Sequence, residues 1–257
     1  MRLTAIGVCL GYGLSAGAAA ANWSETELHL QQGQLNQPFA SQPGTDIDTT
    51  VVTFQHASGW DYGSNFFFFD YARTDNGDTL YGEWYPVFSS KQLLNMSYFG
   101  AIKDIGLVTG INAGPDAEVL KYLPGIQINW NLPGFSYFNT LITAYIDDSN
   151  GVDAGGAPKE DDSMMVDIAW RYPLIVGGQQ FSIEGHAEYI DSRGTELPAV
   201  QVKDWLLAQI QLRWDAGQAL SGTKDKLFVG IEYQYWNNKL GTNEDESAVQ
   251  LLGVWRF

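Results

Sequence analysis

Two short stretches hold side chains suited to gripping a flat, hydroxylated molecule. In Phe66-Phe67-Phe68-Phe69-Asp70-Tyr71, alternate residues of an extended chain share a face, which groups Phe66, Phe68 and Asp70. A few residues on, Tyr81, Glu83 and Tyr85 fall on one face, and Leu80, Trp84 and Phe88 on the other. Aromatic faces stack on a base or sugar ring, at about 1–3 kcal/mol per stacked base. Carboxylates such as Glu83 and Asp70 accept hydrogen bonds from ribose hydroxyls. A second reading has the acids pairing with Arg171, Arg213 and Arg256 to stabilise a plugged interior. The residue types allow both.

Covalent chemistry is poorly supplied. A lipid hydrolase needs a Ser–His pair oriented by a third group. The chain has three histidines. His29 and His186 sit among polar alternating residues, and His56 has no assignable serine partner. No catalytic set is expected, and three scattered histidines suggest no metal site. Cys9, the single cysteine, lies in an apolar leader, so no thiol chemistry and no disulfide is expected of the exported chain. No cofactor motif is present.

The elements that must position these groups are strands. Twelve segments read as extended, at 24–33, 49–58, 62–72, 80–88, 104–112, 120–130, 135–147, 163–172, 179–191, 203–214, 226–237 and 247–257. Strand eight is expected to end at Pro173, before a Gly177-Gly178 turn. Alternation sorts their faces. Asp167 and Arg171 oppose Met164, Val166, Ile168, Trp170 and Tyr172, and Glu184, His186 and Glu188 oppose Phe181, Ile183 and Tyr189. Gln209, Gln211 and Arg213 oppose Leu206, Ile210, Leu212 and Trp214, and Glu232, Gln234 and Trp236 oppose Val229, Ile231, Tyr233 and Tyr235. Polar faces belong inside a membrane barrel, because a cation at mid-membrane on the lipid face costs about 2–4 kcal/mol. Trp130, Tyr172, Trp214 and Phe257 stand near strand ends, where an interfacial girdle would be.

The ends of the chain and its composition point the same way. Residues 1–21 read as a secretory signal, with Arg2, an apolar core from Leu3 to Leu14 and an alanine run. Residues 22–257 are then the exported domain. The last strand alternates Val249, Leu251, Gly253, Trp255 and Phe257 against a mixed face that includes Gln250 and Arg256. Charged residues are 17% and aromatics 14%, and no later apolar run approaches the length of a membrane helix. A formal charge of −16 argues against nucleic acid as a partner. The expectation is an all-β transmembrane antiparallel up-and-down β-barrel of about twelve strands, in the bacterial outer membrane. An even count puts both termini on the periplasmic side, with short turns there and the acidic loops 147–162 and 238–246 outside, against lipopolysaccharide.

Three segments resemble the Tsx family of nucleoside-specific outer-membrane channels. Glu83-Trp84-Tyr85-Pro86-Val87-Phe88-Ser89-Ser90-Lys91-Gln92-Leu93 is similar to its E-x-x-P-x-x-S-x-x-x-L segment. Ser97-Tyr98-Phe99-Gly100-Ala101-Ile102-Lys103-Asp104 resembles its S-F-G-P-x-K-E segment, with Ala101 in place of proline. Trp60-Asp61-Tyr62, before the phenylalanine run, resembles its W-x-D-x-Y-G-Y region. The resemblance implies a monomeric twelve-stranded barrel with a narrow aromatic-lined pore passing nucleosides. Separately, the terminal Phe257 with its alternating apolars resembles the signal of outer-membrane proteins that barrel-insertion machinery reads. Glu83 lies in a matching motif, and Phe66 to Asp70 lie beside one. The other expected pore-lining residues, from Tyr81 to Trp236, rest on alternation. A general porin and a barrel with a surface or structural role remain the competing readings.

Overall fold

The computed structural model describes residues 21–39 and 43–257. The expected leader, with Cys9, lies outside them apart from Ala21. Twelve long strands form one closed antiparallel barrel. They are β1 Trp23–Asn36, β2 Asp46–Trp60, β3 Gly63–Thr74, β4 Gly77–Ser89, β5 Ile102–Gly114 and β6 Val119–Trp130. The rest are β7 Tyr137–Asp147, β8 Ser163–Val176, β9 Gln179–Ile190, β10 Trp205–Asp215, β11 Leu227–Asn237 and β12 Glu246–Arg256. Each pairs with its sequence neighbours, and β1 closes on β12 with Glu27 opposite Arg256 and Gln32 opposite Leu251. Every strand has at least 11 residues, which suffices for a tilted strand to cross a bilayer core.

The wall is sorted by parity. Leu28, Phe54, Phe69, Leu107, Ile126, Val166, Ile210, Val229 and Leu251 face out and are exposed. Their sequence neighbours face in and are largely buried. The start of β1 and the end of β12 lie at one end, here the near end. Trp60, Tyr62 and Phe88 pack edge to face there, as do Phe135, Phe138 and Tyr172. Toward the far end the exposed outward aromatics are tyrosines: Tyr71, Tyr122, Tyr189 and Tyr235. Amphipathic rings at both edges of an apolar wall suit two membrane–water interfaces.

Departures from the expected elements are local. β8 runs past Pro173 to Val176. Its pairing with β7 stops at Arg171, while pairing with β9 continues through Pro173–Ser182. The missing N–H of Pro173 points to the side with no strand, so it breaks no rung. β10 begins at Trp205 rather than at residue 203. Two near-end connections contain short helices, α1 Ser90–Leu94 and α2 Ala216–Ser221. Ser89 and Asp215 cap them by accepting from the N–H groups of Gln92 and Gln218.

The wall predicts its own tolerance. Leu251, outward at the middle of β12 and 69% exposed, replaced by arginine should lower stability by about 2–4 kcal/mol. Reversible denaturant unfolding in phospholipid vesicles measures this. An unchanged midpoint would mean that this wall does not face lipid.

Candidate functional site in the barrel interior

Parity places every side chain expected inside on the interior face. Phe66, Phe68 and Asp70 of β3 are paired with Tyr85, Glu83 and Tyr81 of β4. Asp167 and Arg171 of β8 lie opposite Glu188 and Glu184 of β9, and His186 lies opposite Gln209 of β10. Gln211 of β10 faces Glu232 of β11, Gln209 faces Gln234, and Arg213 lies further toward the near end. Trp236 ends this row and joins the buried apolar cluster. His56, by contrast, is on the outer wall, bonded to Thr26 at 2.8 Å and stacked on Phe67.

At the near end, three arginines meet three glutamates. Glu27 is fully buried and accepts from Arg213 at 3.0 Å, Arg256 at 2.7 Å and Gln55 at 3.1 Å, with His29 at 2.8 Å. Glu184 holds Arg171 at 2.6 Å and Arg213 at 3.5 Å. Arg171 also donates to Glu25 at 2.6 Å. Since β8 and β1 stand nearly opposite in the strand order, this pair bridges the bore. Here the second reading of the charges applies: Arg171, Arg213, Arg256 and Glu184 satisfy one another or nearby acids. Glu25 and Glu27 were not singled out from sequence, although the parity of His29 extended backwards would have found them.

The middle is different. Asp70 accepts from Thr53 at 2.5 Å. Glu83 accepts from Tyr81 at 2.6 Å and Asn112 at 2.9 Å, and Tyr85 in turn donates to Asn112 at 2.9 Å. His186 bridges Asp167 at 2.9 Å and Gln209 at 2.7 Å. Glu232 is ringed by amides from Gln31 at 2.8 Å, Gln211 at 2.6 Å, Gln250 at 3.0 Å and Gln209 at 3.4 Å. Glu188 receives a long bond from Trp205 at 3.4 Å. None of these five carboxyls is ion-paired to a lysine or arginine among the described residues. Beside them runs the aromatic strip: Phe66, Phe68 and Tyr81 have successive centroids 6.1 Å apart. Gly110 on β5 lets the Tyr85 ring lie against the wall, since a Cβ there would come within 2.7 Å of it.

The far half combines apolar packing with a second ion network. Tyr145, Trp205 and Trp236 pack edge to face or tilted within the buried cluster. Arg193 comes from the connection between β9 and β10, where Arg193–Gly194 pairs with Gln201–Val202. It is 5% exposed, lies 4.4 Å over the Trp205 ring and donates to Glu160 at 2.7 Å. Lys121 joins Glu160 at 2.6 Å and Asp147 at 3.2 Å. Glu196 stitches the adjoining loops by accepting from the N–H groups of Val152 and Lys159, at 2.8 and 2.9 Å. Those two bonds hold its carboxyl below the usual carboxylate range. At the same end, in the β11–β12 connection, Lys239 donates to Glu246 and to the Asn36 carbonyl, each at 2.7 Å. Burial lowers its ammonium from the ordinary lysine value, against the pull of Glu246. Loop side chains such as Arg193 and Lys239 have no periodic signal, so sequence alternation could not find them.

A closed barrel with an apolar wall, interfacial aromatics and a polar bore defines an outer-membrane β-barrel of porin-like build. No protein-family model matches the chain, and no curated protein does. Among solved structures, the NanC porin is similar over 89% of this chain and 98% of its own, with TM-score 0.53 and 11% identity. An outer membrane channel from Pseudomonas putida F1 is similar over 95% of this chain and all of its own, with TM-score 0.52 and 11% identity. A KdgM porin in complex with disordered oligogalacturonate covers 91% of this chain and 99% of its own, with TM-score 0.50 and 8% identity. At such identities the likeness is one of fold.

The near-end network predicts a stability loss. Glu27→Ala would leave Arg213 and Arg256 without their buried carboxylate, at about 3–5 kcal/mol. Urea unfolding of the refolded barrel, read by heat-dependent gel mobility, reports it. A loss below about 1 kcal/mol, the range of exposed pairs, would mean that water fills this end of the bore.

Proposed function

We propose that the protein is an outer-membrane channel for selective passive diffusion of nucleosides. The observation that supports this best is the aromatic strip of Phe66, Phe68 and Tyr81 beside Asp70 and Glu83, two carboxyls that no guanidinium occupies. A flat base suits the rings, and ribose hydroxyls are donors for acceptors of this kind. The Tsx-like segments add support, although part of that pattern has a structural use: Ser89 caps α1, and Pro86 sits where the β4–β5 ladder lapses for two residues with its register unchanged. In this reading the chain works as a monomer in lipid and lipopolysaccharide. The near end is periplasmic, the acidic loops face outward, and Phe257 addresses the insertion machinery.

A closed barrel with a surface role is the second reading. The Arg171–Glu25 bridge at one end and Arg193 over Trp205 at the other favour it.

Single-channel conductance in planar bilayers decides between them. Small pores are expected, with a current that falls saturably on adding adenosine or thymidine but not glucose. Replacing Phe68 with alanine should weaken this block by about tenfold, in line with the loss of one stacked base. Large pores indifferent to nucleosides would favour a general porin, and a folded barrel without current would favour the closed one.

A further inference from the structure

The charges of the bore fall into three groups along its length. Near-end Glu25, Glu27 and Glu184 are matched by three arginines, and far-end Asp147, Glu160 and Glu246 by Lys121, Arg193 and Lys239. Between them, Asp70, Glu83, Asp167, Glu188 and Glu232 have no lysine or arginine within ion-pair distance among the described residues, and one basic side chain, His186, lies against Asp167. Geometry links them: Asp167 lies opposite Glu188 in the β8–β9 register, and His186 joins Asp167 to Gln209, whose Nε2 reaches Glu232 at 3.4 Å.

An independent feature points in the same direction. Gln250 is 1% exposed, lies opposite Glu232 in the register, and gives its Nε2 to that carboxylate. Its Oε1 has no hydrogen-bond donor. A buried acceptor left unmet costs about 1–3 kcal/mol unless something supplies a proton or a positive charge. Carboxyls gathered in a low-dielectric bore make the same demand, since like charges at close range oppose ionisation unless a cation lies between them. A cation entering the layer meets that demand, and an anion worsens it.

We propose that this middle layer is a cation-selecting filter, which admits inorganic and ammonium-type cations and excludes anions. The proposal rests on the channel reading of the barrel but not on nucleosides as its solute.

The test is the reversal potential of the refolded wild-type protein in a planar bilayer under a KCl gradient. Potassium should be favoured over chloride by about tenfold or more, the scale on which a charged cleft concentrates counter-ions. The isosteric double variant Glu83→Gln/Glu188→Gln, which removes two of the five carboxyls, should move the reversal potential measurably toward zero. Asp75→Asn, in the exposed β3–β4 turn, should leave it unchanged. Heat-dependent gel mobility confirms folding of each barrel. Chloride preference, no preference, a preference that the double substitution leaves unchanged, or no current from a folded barrel would each overturn the filter. If cation preference holds while nucleosides fail to block, only the nucleoside assignment falls.

Discussion

Glu27 is the group on which the architecture depends most. It is a carboxylate on the first strand, fully buried, in contact with Arg256 of the last strand, Arg213 of β10 and Gln55 of β2. The backbone seam it supports is short. The ladder from β1 to β2 runs from Trp23 to Asn36, whereas that from β1 to β12 runs only from Glu27 to Gln32. Beyond Gln32 the closure passes to side chains. Glu246 accepts from the Asn36 N–H, and Lys239 donates to the Asn36 carbonyl. The first and last strands are thus clipped by charge at both ends of a brief run of backbone bonds. A buried ion pair is not strongly stabilising on its own, but losing one partner is costly. Charges so placed fix which strand closes on which.

The wall and the bore were legible in the sequence to different degrees. A membrane barrel makes the two faces of a strand meet opposite solvents, so a period of two reports the face of almost every wall residue. Val229 and Glu232, or Val166 and Asp167, can be assigned on that basis alone. Alternation carries no information on pairing across the bore. It cannot say that Arg171 reaches Glu25 on the far wall while Glu83 meets only Tyr81 and Asn112. Those distinctions depend on shear and depth, which follow from the register of all twelve strands together. Pro173 shows the limit in the other direction. As a rule of composition it ends a strand, but here the neighbouring strand has already stopped.

The loops were the least legible part, and they control both mouths. Arg193 enters the bore because Glu160, Tyr145 and Trp205 offer it a charge and two rings. The same Glu160 also holds Lys121 on β6. One loop carboxylate therefore ties a strand to a neighbouring loop, and the two loops are joined again through Glu196. At the near end α1 is anchored to β5, with Ser90 donating to the Ile105 carbonyl at 2.5 Å. Local capping residues could have revealed the helices, but nothing local reveals a side chain folded inward from a loop.

These constraints together explain the unequal treatment of charge along the bore. Where the barrel needs closure, at the seam and at the two mouths, acids and bases are joined in shared ion networks. Such groups have little left to offer a passing solute, because their hydrogen-bonding capacity is spent on each other. The middle needs no such clip, since the β2–β3 and β9–β10 ladders there are continuous. In that layer five carboxyls lack a lysine or arginine partner among the described residues, and the aromatic strip of β3 and β4 lies beside it. Paired charges and carboxyls without a lysine or arginine thus occupy different depths of the same barrel. On the proposed channel reading, the depth at which pairing lapses is the one where selectivity belongs.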